Sequence, residues 1–363
     1  MLFNNKFTTI DIGTNAIKLA RFKKSKNTLT LLNTAYQKLS YDTIRDGMIV
    51  DIPIVAKCLK NILSGLDFKP RKIVTTIPSN HIITRNVEFP IMSDDELEQA
   101  MKWEAEEYLP FSIEEARLDY LLIDQDEETL KILLVAVKQD ILDKIQATFT
   151  RIGLKPKILN IQPMALLSLL KYQDAIVDEE TVAVIDLGAS STQVVVGDQK
   201  NIYLSRSIDI GGQNFTNHLM EIMQIDFLKA EEHKFENGIE DSDDKYSEGE
   251  TFSEMDISLS EVASVSGESL LGSLVDDLTE EISRSLEYYS MKSRGKAVDK
   301  IYLTGGGSRL QGIKGLISEH IDRDILLLNP FENFNIENAR NDLAEEFGVA
   351  IGLGVSEVLA DES

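Results

Sequence analysis

The same short loop pattern occurs twice in this chain, near the N-terminus and near the middle. Residues 11–15 (DIGTN) follow the apolar stretch Phe7–Ile10, and residues 186–192 (DLGASST) follow Val182–Ile185. Alternating residues after each loop predict a returning strand. Glycine lets the backbone approach an anion, the free N–H groups of a tight turn face it, and the carboxylate can hold a hydrated Mg²⁺. Two such loops facing each other would grip one polyphosphate, which predicts two similar lobes with a nucleotide between them.

Composition and charge exclude several classes of protein. A chain of 363 residues with 43% hydrophobic residues is long enough for two or more globular domains. It has no apolar run of the length of a membrane span, and no segment typical of a signal peptide. The lone Cys58 can form no internal disulfide, which favours a reducing compartment. The net charge of −24 disfavours nucleic acid and anionic lipid as partners, because both would repel the chain.

Much of this negative charge lies in one segment. Residues 231–268 contain thirteen acidic residues against two lysines, and residues 234–267 show weak hydrophobic periodicity. This composition predicts a flexible loop rather than a part of the core.

A stretch with a different pattern interrupts the first half of the chain. Residues 81–89 alternate as a strand, and residues 93–96 (SDDE) form a capping-box sequence that predicts a helix ending at Pro110. Two further strands and a helix follow, up to Arg151. The unit 81–155 is therefore predicted to be a compact inserted domain.

Two glycine-rich turns complete the pattern. The predicted strand Tyr203–Ile210 ends in a Gly-Gly pair, and the strand Lys300–Leu303 runs into three glycines and a serine before a helix. Taken in order with the two Asp-Gly loops, these features resemble the actin/Hsp70-like ATPase superfamily. The resemblance identifies residues 11–18 and 186–192 as its phosphate loops and residues 303–310 as its adenosine loop.

The predicted capped helix indicates one family within this superfamily. Residues 93–110 (SDDELEQAMKWEAEEYLP), their continuation to Tyr120, and the preceding Ile-Pro-Ser at residues 77–79 resemble the type IV pilus assembly protein PilM family, the pilus relatives of the cell-division protein FtsA. The block 186–212, the helix 280–289 and the loop 305–307 are similar to the same family, so the resemblance covers nearly the whole chain.

The implied fold is an α/β, actin-like ATPase fold: two lobes with a nucleotide cleft and an FtsA-like inserted subdomain. Its expected parts are a first-lobe core (1–80, 156–177 and 338–363), the inserted subdomain (81–155), a second-lobe core (178–215 and 275–337), and a small second-lobe subdomain carrying the acidic loop (216–274).

The resemblance also assigns roles to individual residues, with ATP and Mg²⁺ as the implied cofactors. Asp11 and Asp186 would hold Mg²⁺. Gln162, before a predicted helix, would be the catalytic candidate that positions an attacking water. The residues expected to bind the nucleotide come from both lobes: Gly13, Thr14, Asn15, Lys18, Gly188, Ala189, Ser190, Gly211, Gly212, Glu231, Lys234, Gly305, Gly306 and Ser308.

Some of these assignments have a purely structural alternative. Lys18 could be a solvated strand lysine, and Gln162 could be a simple polar residue at a helix N-terminus. Glu231 and Lys234, expected at the ribose, could form an exposed i,i+3 charge pair. The sequence therefore predicts ATP binding, with at most a weak ATPase activity.

The implied function is that of a cytoplasmic ATP-binding scaffold of the type IV pilus machine. Other inner-membrane pilus components would recruit it to the inner face of the membrane. Its partner would be the N-terminal cytoplasmic peptide of a PilN-like inner-membrane protein, bound between the first lobe and the inserted domain.

Two alternatives remain for the function. The first is an FtsA-like filament protein, but Val355–Ser363 is acidic and lacks the basic amphipathic helix of a lipid tether. The second is a small-molecule kinase on the same fold, which would need a carboxylate base beyond those assigned to Mg²⁺.

Overall fold

The computed structural model describes residues 6–25, 28–66, 70, 72–239, 271–338 and 343–360. The predicted flexible acidic loop, residues 234–267, lies outside the described residues from position 240 onward. Among the helices of the described ranges, none combines the length and the apolar character needed to cross a membrane.

Most of the described strands belong to one of two sheets, one in each lobe. In chain order the strands are β1 (Lys6–Ile12), β2 (Ala16–Ser25), β3 (Thr28–Lys38), β4 (Ile44–Arg45), β5 (Met48–Ile49), β6 (Ile73–Ile77), β7 (Ile82–Pro90), β8 (Ala116–Gln125), β9 (Thr129–Lys138), β10 (Ile158–Ile161), β11 (Val182–Leu187), β12 (Thr192–Gly197), β13 (Ile202–Ile208), β14 (Lys300–Thr304), β15 (Ile325–Leu327) and β16 (Asn335–Ile336).

The two lobe sheets repeat one topology. The first has the order β10-β6-β1-β2-β3-β16, and the second has the order β13-β12-β11-β14-β15. Each contains an antiparallel three-stranded meander, extended beside its first strand by two parallel strands. Each Asp-Gly loop connects the first and second strands of its meander. The prediction of two similar lobes is confirmed.

The described helices pack around these sheets. They are α1 (Ile52–Ser64), α2 (Asp94–Glu106), α3 (Gln139–Thr150), α4 (Gln162–Tyr172), α5 (Gly212–Met223), α6 (Phe227–Asn237), α7 (Gly272–Lys292), α8 (Ile313–Ile321) and α9 (Gly348–Ala360).

Helices α4 and α9 join the two lobes into one core. Their buried leucine, isoleucine and valine side chains pack with Phe22 and Leu31 of the first sheet and with Val184 and Val195 of the second. The two helices approach so closely that a Cβ atom at Gly352 would meet the carbonyl of Ala165. A rigid joint of this kind fixes the positions of the loops that project from each sheet.

The predicted inserted unit contains a small core of its own. Strands β7, β9 and β8 form a three-stranded antiparallel sheet, and Leu97, Met101 and Ala105 of α2 pack against it. The predicted capping box is present, since the backbone N–H of Ser93 donates to the Glu96 carboxylate at 2.9 Å.

Helix α3 departs from the predicted limits of this unit. Its buried Ile141, Ile145 and Phe149 pack with Val55 and Leu59 of α1 in the first-lobe core. The helix connects the inserted sheet to β10, which lies parallel to β6. We therefore propose that the inserted subdomain ends at the end of β9, and that residues 139–155 belong to the first lobe.

Candidate functional site

The two repeated loops face each other across a cleft of about 540 Å³ between the lobes. The hydroxyl groups of Thr14 and Ser190, one from each loop, are 2.9 Å apart and share a hydrogen bond. The cleft is lined by fifteen of the residues that the sequence predicted: Asp11, Gly13, Thr14, Asn15, Lys18, Gln162, Asp186, Gly188, Ala189, Ser190, Gly212, Glu231, Lys234, Gly305 and Gly306. The other two predicted residues, Gly211 and Ser308, are buried and do not line the cleft.

Both loops are closed by the same backbone hydrogen bond. The N–H of Gly13 donates to the Ala16 carbonyl at 3.0 Å, and the N–H of Gly188 donates to the Ser191 carbonyl at 3.0 Å. Within the described part of the chain, the N–H groups of residues 14, 15, 189 and 190 donate to no other group. Four free backbone donors at the tips of two facing turns match the oxygens of a polyphosphate.

Two carboxylates and one ammonium group lie between these loops. Asp11 and Asp186, at the ends of β1 and β11, are both buried, and the Lys18 Nζ atom lies 3.2 Å from Asp11 Oδ2. Burial by itself would lower the pKa of Lys18, but the negative charges of Asp11, Glu346 and Asp186 outweigh this effect and raise that pKa. Lys18 is therefore a charged residue of the cleft, not a solvated strand lysine.

The Asp186 carboxyl group is strongly desolvated. Its burial, together with the nearby negative charge of Asp11, raises the pKa of Asp186 to about 6, against the opposing effect of Lys18. The Gln162 amide nitrogen also donates a hydrogen bond to this carboxylate. Gln162 is the first residue of α4, so its side chain reaches the cleft from the helix start and is bonded to Asp186.

These residues fit a hydrated Mg²⁺ bound together with phosphates. The two buried carboxylates of Asp11 and Asp186 face the same cleft, and Lys18 can balance only one of their negative charges. A divalent cation would neutralise the remaining negative charge. The described residues contain no cluster of three or more His, Cys, Asp or Glu side chains able to hold a metal. Mg²⁺ commonly keeps several waters and binds through one or two carboxylates and substrate phosphates, which suits this donor set.

Gly211 supports the second loop from behind. A Cβ atom there would lie 2.6 Å from Ser191 N and 2.7 Å from Ala189 O. The N–H of Gly212 donates to the Gly188 carbonyl at 2.9 Å, and Gly212 opens α5. The close contact between the second loop and the start of this helix therefore requires glycine at position 211, whereas a Cβ atom at Gly212 would come no closer than 3.6 Å to its neighbours.

Glu231 and Lys234 form a buried pair on α6, so the alternative of an exposed charge pair is wrong. The Lys234 Nζ atom donates to Gly212 O at 3.0 Å, to Thr216 Oγ1 at 2.7 Å and to the Glu231 carboxylate. Desolvation lowers the pKa of Lys234, against the opposing effect of Glu231. All three ammonium protons of Lys234 have protein acceptors, so this residue connects α6 to α5. Glu231 is the residue of the pair that can still bind a ligand.

The third loop enters the cleft after β14. Gly305 has φ +88°, and a Cβ atom there would lie 2.5 Å from Leu187 O and would collide with the Asp186 carboxylate. Its N–H donates to the Glu345 carbonyl at 3.0 Å, whereas Ser308 Oγ donates to the Gly305 carbonyl at 2.7 Å. Ser308 thus shapes the loop, while Gly305 and Gly306 line the cleft.

Sequence reasoning missed a polar group on the opposite wall. Glu346 precedes α9, and its carboxylate accepts a hydrogen bond from Arg309 Nη1 at 3.0 Å, which links the two lobes. Burial and the negative charge of Glu346 raise the pKa of Tyr36 to about 12. No local motif marks these residues, which the topology brings together from three distant segments.

A second cavity of about 500 Å³ separates the inserted unit from the first lobe. Its walls include β8 and β10, each of which is the last strand of its sheet. Apolar side chains that are unusually exposed line it, among them Tyr120, Leu121 and Leu159, which are 41%, 36% and 40% exposed. We call this cavity the edge groove.

The duplicated sheets, the cleft between them and the three loops define an actin-like ATPase fold. The family model described as type IV pilus assembly protein PilM matches residues 9–248, which is more than half of the chain. The chain therefore belongs to the PilM family, and both the predicted fold and the predicted family are confirmed. The model of cell division protein FtsA matches residues 183–351.

Solved structures support the same assignment. A PilM–PilN type IV pilus biogenesis complex is similar to this chain with a TM-score of 0.80 and 25% identity, covering 97% of this chain and 98% of the other. MreB5 of Spiroplasma citri bound to AMPPNP has a TM-score of 0.54 and 15% identity, covering 99% and 97%. The second likeness concerns the fold alone.

Curated relatives with sequence similarity include FtsA proteins. FtsA of Streptococcus pneumoniae is 23% identical over 259 residues, which is 64% of this chain and 56% of the relative. For FtsA of Helicobacter pylori the identity is 25% over 182 residues, covering 47% and 36%. The chain thus spans about half or less of the length of these two relatives. FtsA of Bacillus subtilis is 21% identical over 357 residues, covering 90% and 79%.

Proposed function

We propose that this protein is an ATP-binding scaffold of the type IV pilus machine, which binds the N-terminal cytoplasmic tail of a PilN-like inner-membrane protein. The observation that carries this proposal is the presence of two separate cavities: a cleft with free backbone donors and buried charges, and a groove with exposed apolar side chains between two sheet edges. The protein would act in the cytoplasm, and its partners would hold it at the inner face of the membrane.

In the cleft, the residues have distinct roles toward MgATP. The free N–H groups at residues 14, 15, 189 and 190 would bind the phosphates from both lobes, and Lys18 would add a positive charge. Asp11 and Asp186 would hold Mg²⁺ through its waters, and the metal would neutralise the phosphate charge. Glu231 would accept hydrogen bonds from the ribose hydroxyls, with Lys234 as the residue that positions it.

Hydrolysis is a separate matter from binding. A residue that orients an attacking water needs a free polar atom near the terminal phosphate. The amide nitrogen of Gln162 is engaged by Asp186, so it orients this carboxylate in the structure described above. Slow or absent turnover is consistent with a scaffold whose nucleotide serves to hold the lobes together.

The edge groove supports the peptide-binding part of the proposal. Strands β8 and β10 offer unpaired edges to an extended segment, and exposed apolar side chains between them can bind its anchors. The solved PilM–PilN complex that resembles this chain along its whole length makes a PilN-like tail the best-supported occupant. We therefore assign the groove to that tail.

The test is a titration of the N-terminal cytoplasmic tail of the PilN-like protein from the same organism. Leu121→Asp and Leu159→Asp remove one apolar contact from each wall and should weaken peptide binding roughly tenfold to hundredfold. Leu326→Asp is the matched control, because Leu326 is an exposed leucine (45%) on β15 of the other lobe. Equal affinity of all four proteins would contradict the assignment of the groove.

The FtsA-like alternative has its own support, since the FtsA model matches the second half of the chain. It predicts that the protein with MgATP assembles into filaments that sediment, and that the tail peptide does not bind. Sedimentation of filaments without peptide binding would replace the scaffold proposal with this alternative.

A further inference from the structure

One polar side chain on the cleft wall has an unpaired atom. Gln193 on β12 is 2% exposed and lines the nucleotide cleft. Its Nε2 atom donates to Ser205 Oγ at 3.0 Å, but its Oε1 atom has no hydrogen-bond partner in the described residues. Rotation of the amide would exchange the two atoms and would still leave one of them unpaired. Since an unpaired buried polar atom costs free energy, this group indicates a missing ligand.

The strand register places Gln193 beside Asp186 of the predicted metal site. Gln193 is paired directly with Asp186 on β11 and with Ser207 on β13. Directly opposed residues point to the same face of a sheet, with Cβ atoms about 5 Å apart. The hydroxyl of Ser207 is the other buried side-chain atom without a partner in the described residues. Gln193 therefore adjoins a buried carboxylate of the cleft, and the unpaired hydroxyl of Ser207 lies one strand further from that carboxylate.

We propose that Gln193 binds a water molecule of the Mg²⁺ hydration shell and thereby helps to position the metal beside Asp186. The proposal rests on the proposed binding of MgATP. An amide oxygen accepts hydrogen bonds without bringing a charge, so it binds a metal-bound water without adding to the repulsion between Asp11 and Asp186. Ser207 extends the same polar row and can hold a second water.

The experiment compares the affinity for ATP in Mg²⁺ with that in EDTA, by calorimetry on the full chain. The ratio of the two dissociation constants is the metal-dependent gain. Gln193→Met keeps the length of the side chain but removes both polar atoms. It should reduce this gain about tenfold and leave the affinity in EDTA unchanged. The control is Gln99→Met, an exposed position on α2 of the inserted unit.

A second variant tests the idea independently of the first. Gln193→Glu keeps an acceptor oxygen and adds a negative charge, which attracts Mg²⁺ and repels metal-free ATP. Its metal-dependent gain should therefore equal or exceed that of the natural protein. The proposal is overturned if folded Gln193→Met keeps the full gain, if its two affinities fall equally, or if Gln193→Glu loses the gain.

These outcomes separate the inference from the function on which it rests. If the natural protein binds ATP in neither condition, the proposed function itself fails. If it binds ATP with no metal-dependent gain, nucleotide binding stands and the role of Gln193 is refuted. Should Gln193→Met fail to fold, Gln193→Glu alone decides.

Discussion

The two cavities of this protein are similar in size and differ in the groups that line them. The cleft is lined by backbone donors, buried charges and glycines in close contact, whereas the edge groove combines exposed apolar side chains on two strand edges with charged residues such as Arg117 and Lys157. The cleft therefore suits a small, highly charged ligand that both lobes surround. The groove suits an extended chain that contributes its own hydrogen bonds. The comparison indicates that nucleotide and partner bind separately, and the predictions below test the cleft, in most cases with the tail peptide as the reference.

The largest expected effect concerns the charge of Asp186 in the absence of ligand. Because burial raises its folded-state pKa to about 6, the favourable contribution of the protonated form is present at low pH and is lost as the pH rises through 6. Asp186→Asn should therefore raise the free energy of unfolding by roughly 3 kcal/mol at pH 7.5, and by much less at pH 4.5. Urea unfolding at both pH values measures this difference.

The control for that measurement is Asp178→Asn, an exposed carboxylate outside both cavities. An Asp186→Asn effect that is the same at pH 4.5 and pH 7.5 would contradict the account of a buried carboxyl group with a raised pKa. The variant should keep the peptide affinity of the natural protein, because Asp186 lies in the cleft.

The second prediction concerns Gly211, which contacts the second Asp-Gly loop of the cleft. The methyl group of Gly211→Ala would press on Ser191 N and Ala189 O and displace the loop. Overpacking of about 1–3 kcal/mol should weaken MgATP up to roughly a hundredfold and leave the tail peptide unaffected. Gly315→Ala is the matched control, because a Cβ atom at Gly315 meets nothing within 4 Å. Unchanged affinity for MgATP in Gly211→Ala would contradict the prediction that the position of this loop determines nucleotide binding.

The smallest effect concerns the ion pair that links the lobes at the rim of the cleft. Arg309→Ala removes the partner of Glu346 and should weaken MgATP binding by about 1 kcal/mol, since the pair is only partly exposed. Arg284→Ala is the comparison, because it removes a more exposed pair on α7. Stopped-flow measurements should show faster nucleotide release for Arg309→Ala alone; faster release from both variants would indicate a general loss of stability.

A region could be predicted from the sequence when the residues that form it lie close together along the chain. The two Asp-Gly loops of the cleft could be found because Asp, Gly and hydroxyl residues lie within seven positions of one another, and the chain repeats them. Gln193, Arg309 and Glu346 could not, because the register of β11 with β12 and the position before α9 bring them to the cleft. The i,i+3 spacing in the sequence predicted that Glu231 and Lys234 could pair. The burial of this pair could not be predicted, because it depends on the contact between α6 and α5.

The edge groove shows the same limit more strongly. Its walls come from β8, from α3 and from the segment around β10, and none of these carries a motif by itself. The end of the inserted unit, which we propose to place at the end of β9, is difficult to predict for a related reason. In the sequence, α3 follows the inserted strands directly, and only its packing against α1 assigns it to the first lobe.

The most direct test of this account is a titration of MgATP into folded Asp11→Ala and Asp186→Ala variants, with the tail peptide titrated in parallel. We predict that each substitution weakens MgATP at least tenfold, because it removes a charged ligand of the metal, and that neither changes peptide affinity. Full affinity for MgATP in both folded variants would contradict the claim that one carboxylate from each lobe holds the metal of a single bound nucleotide.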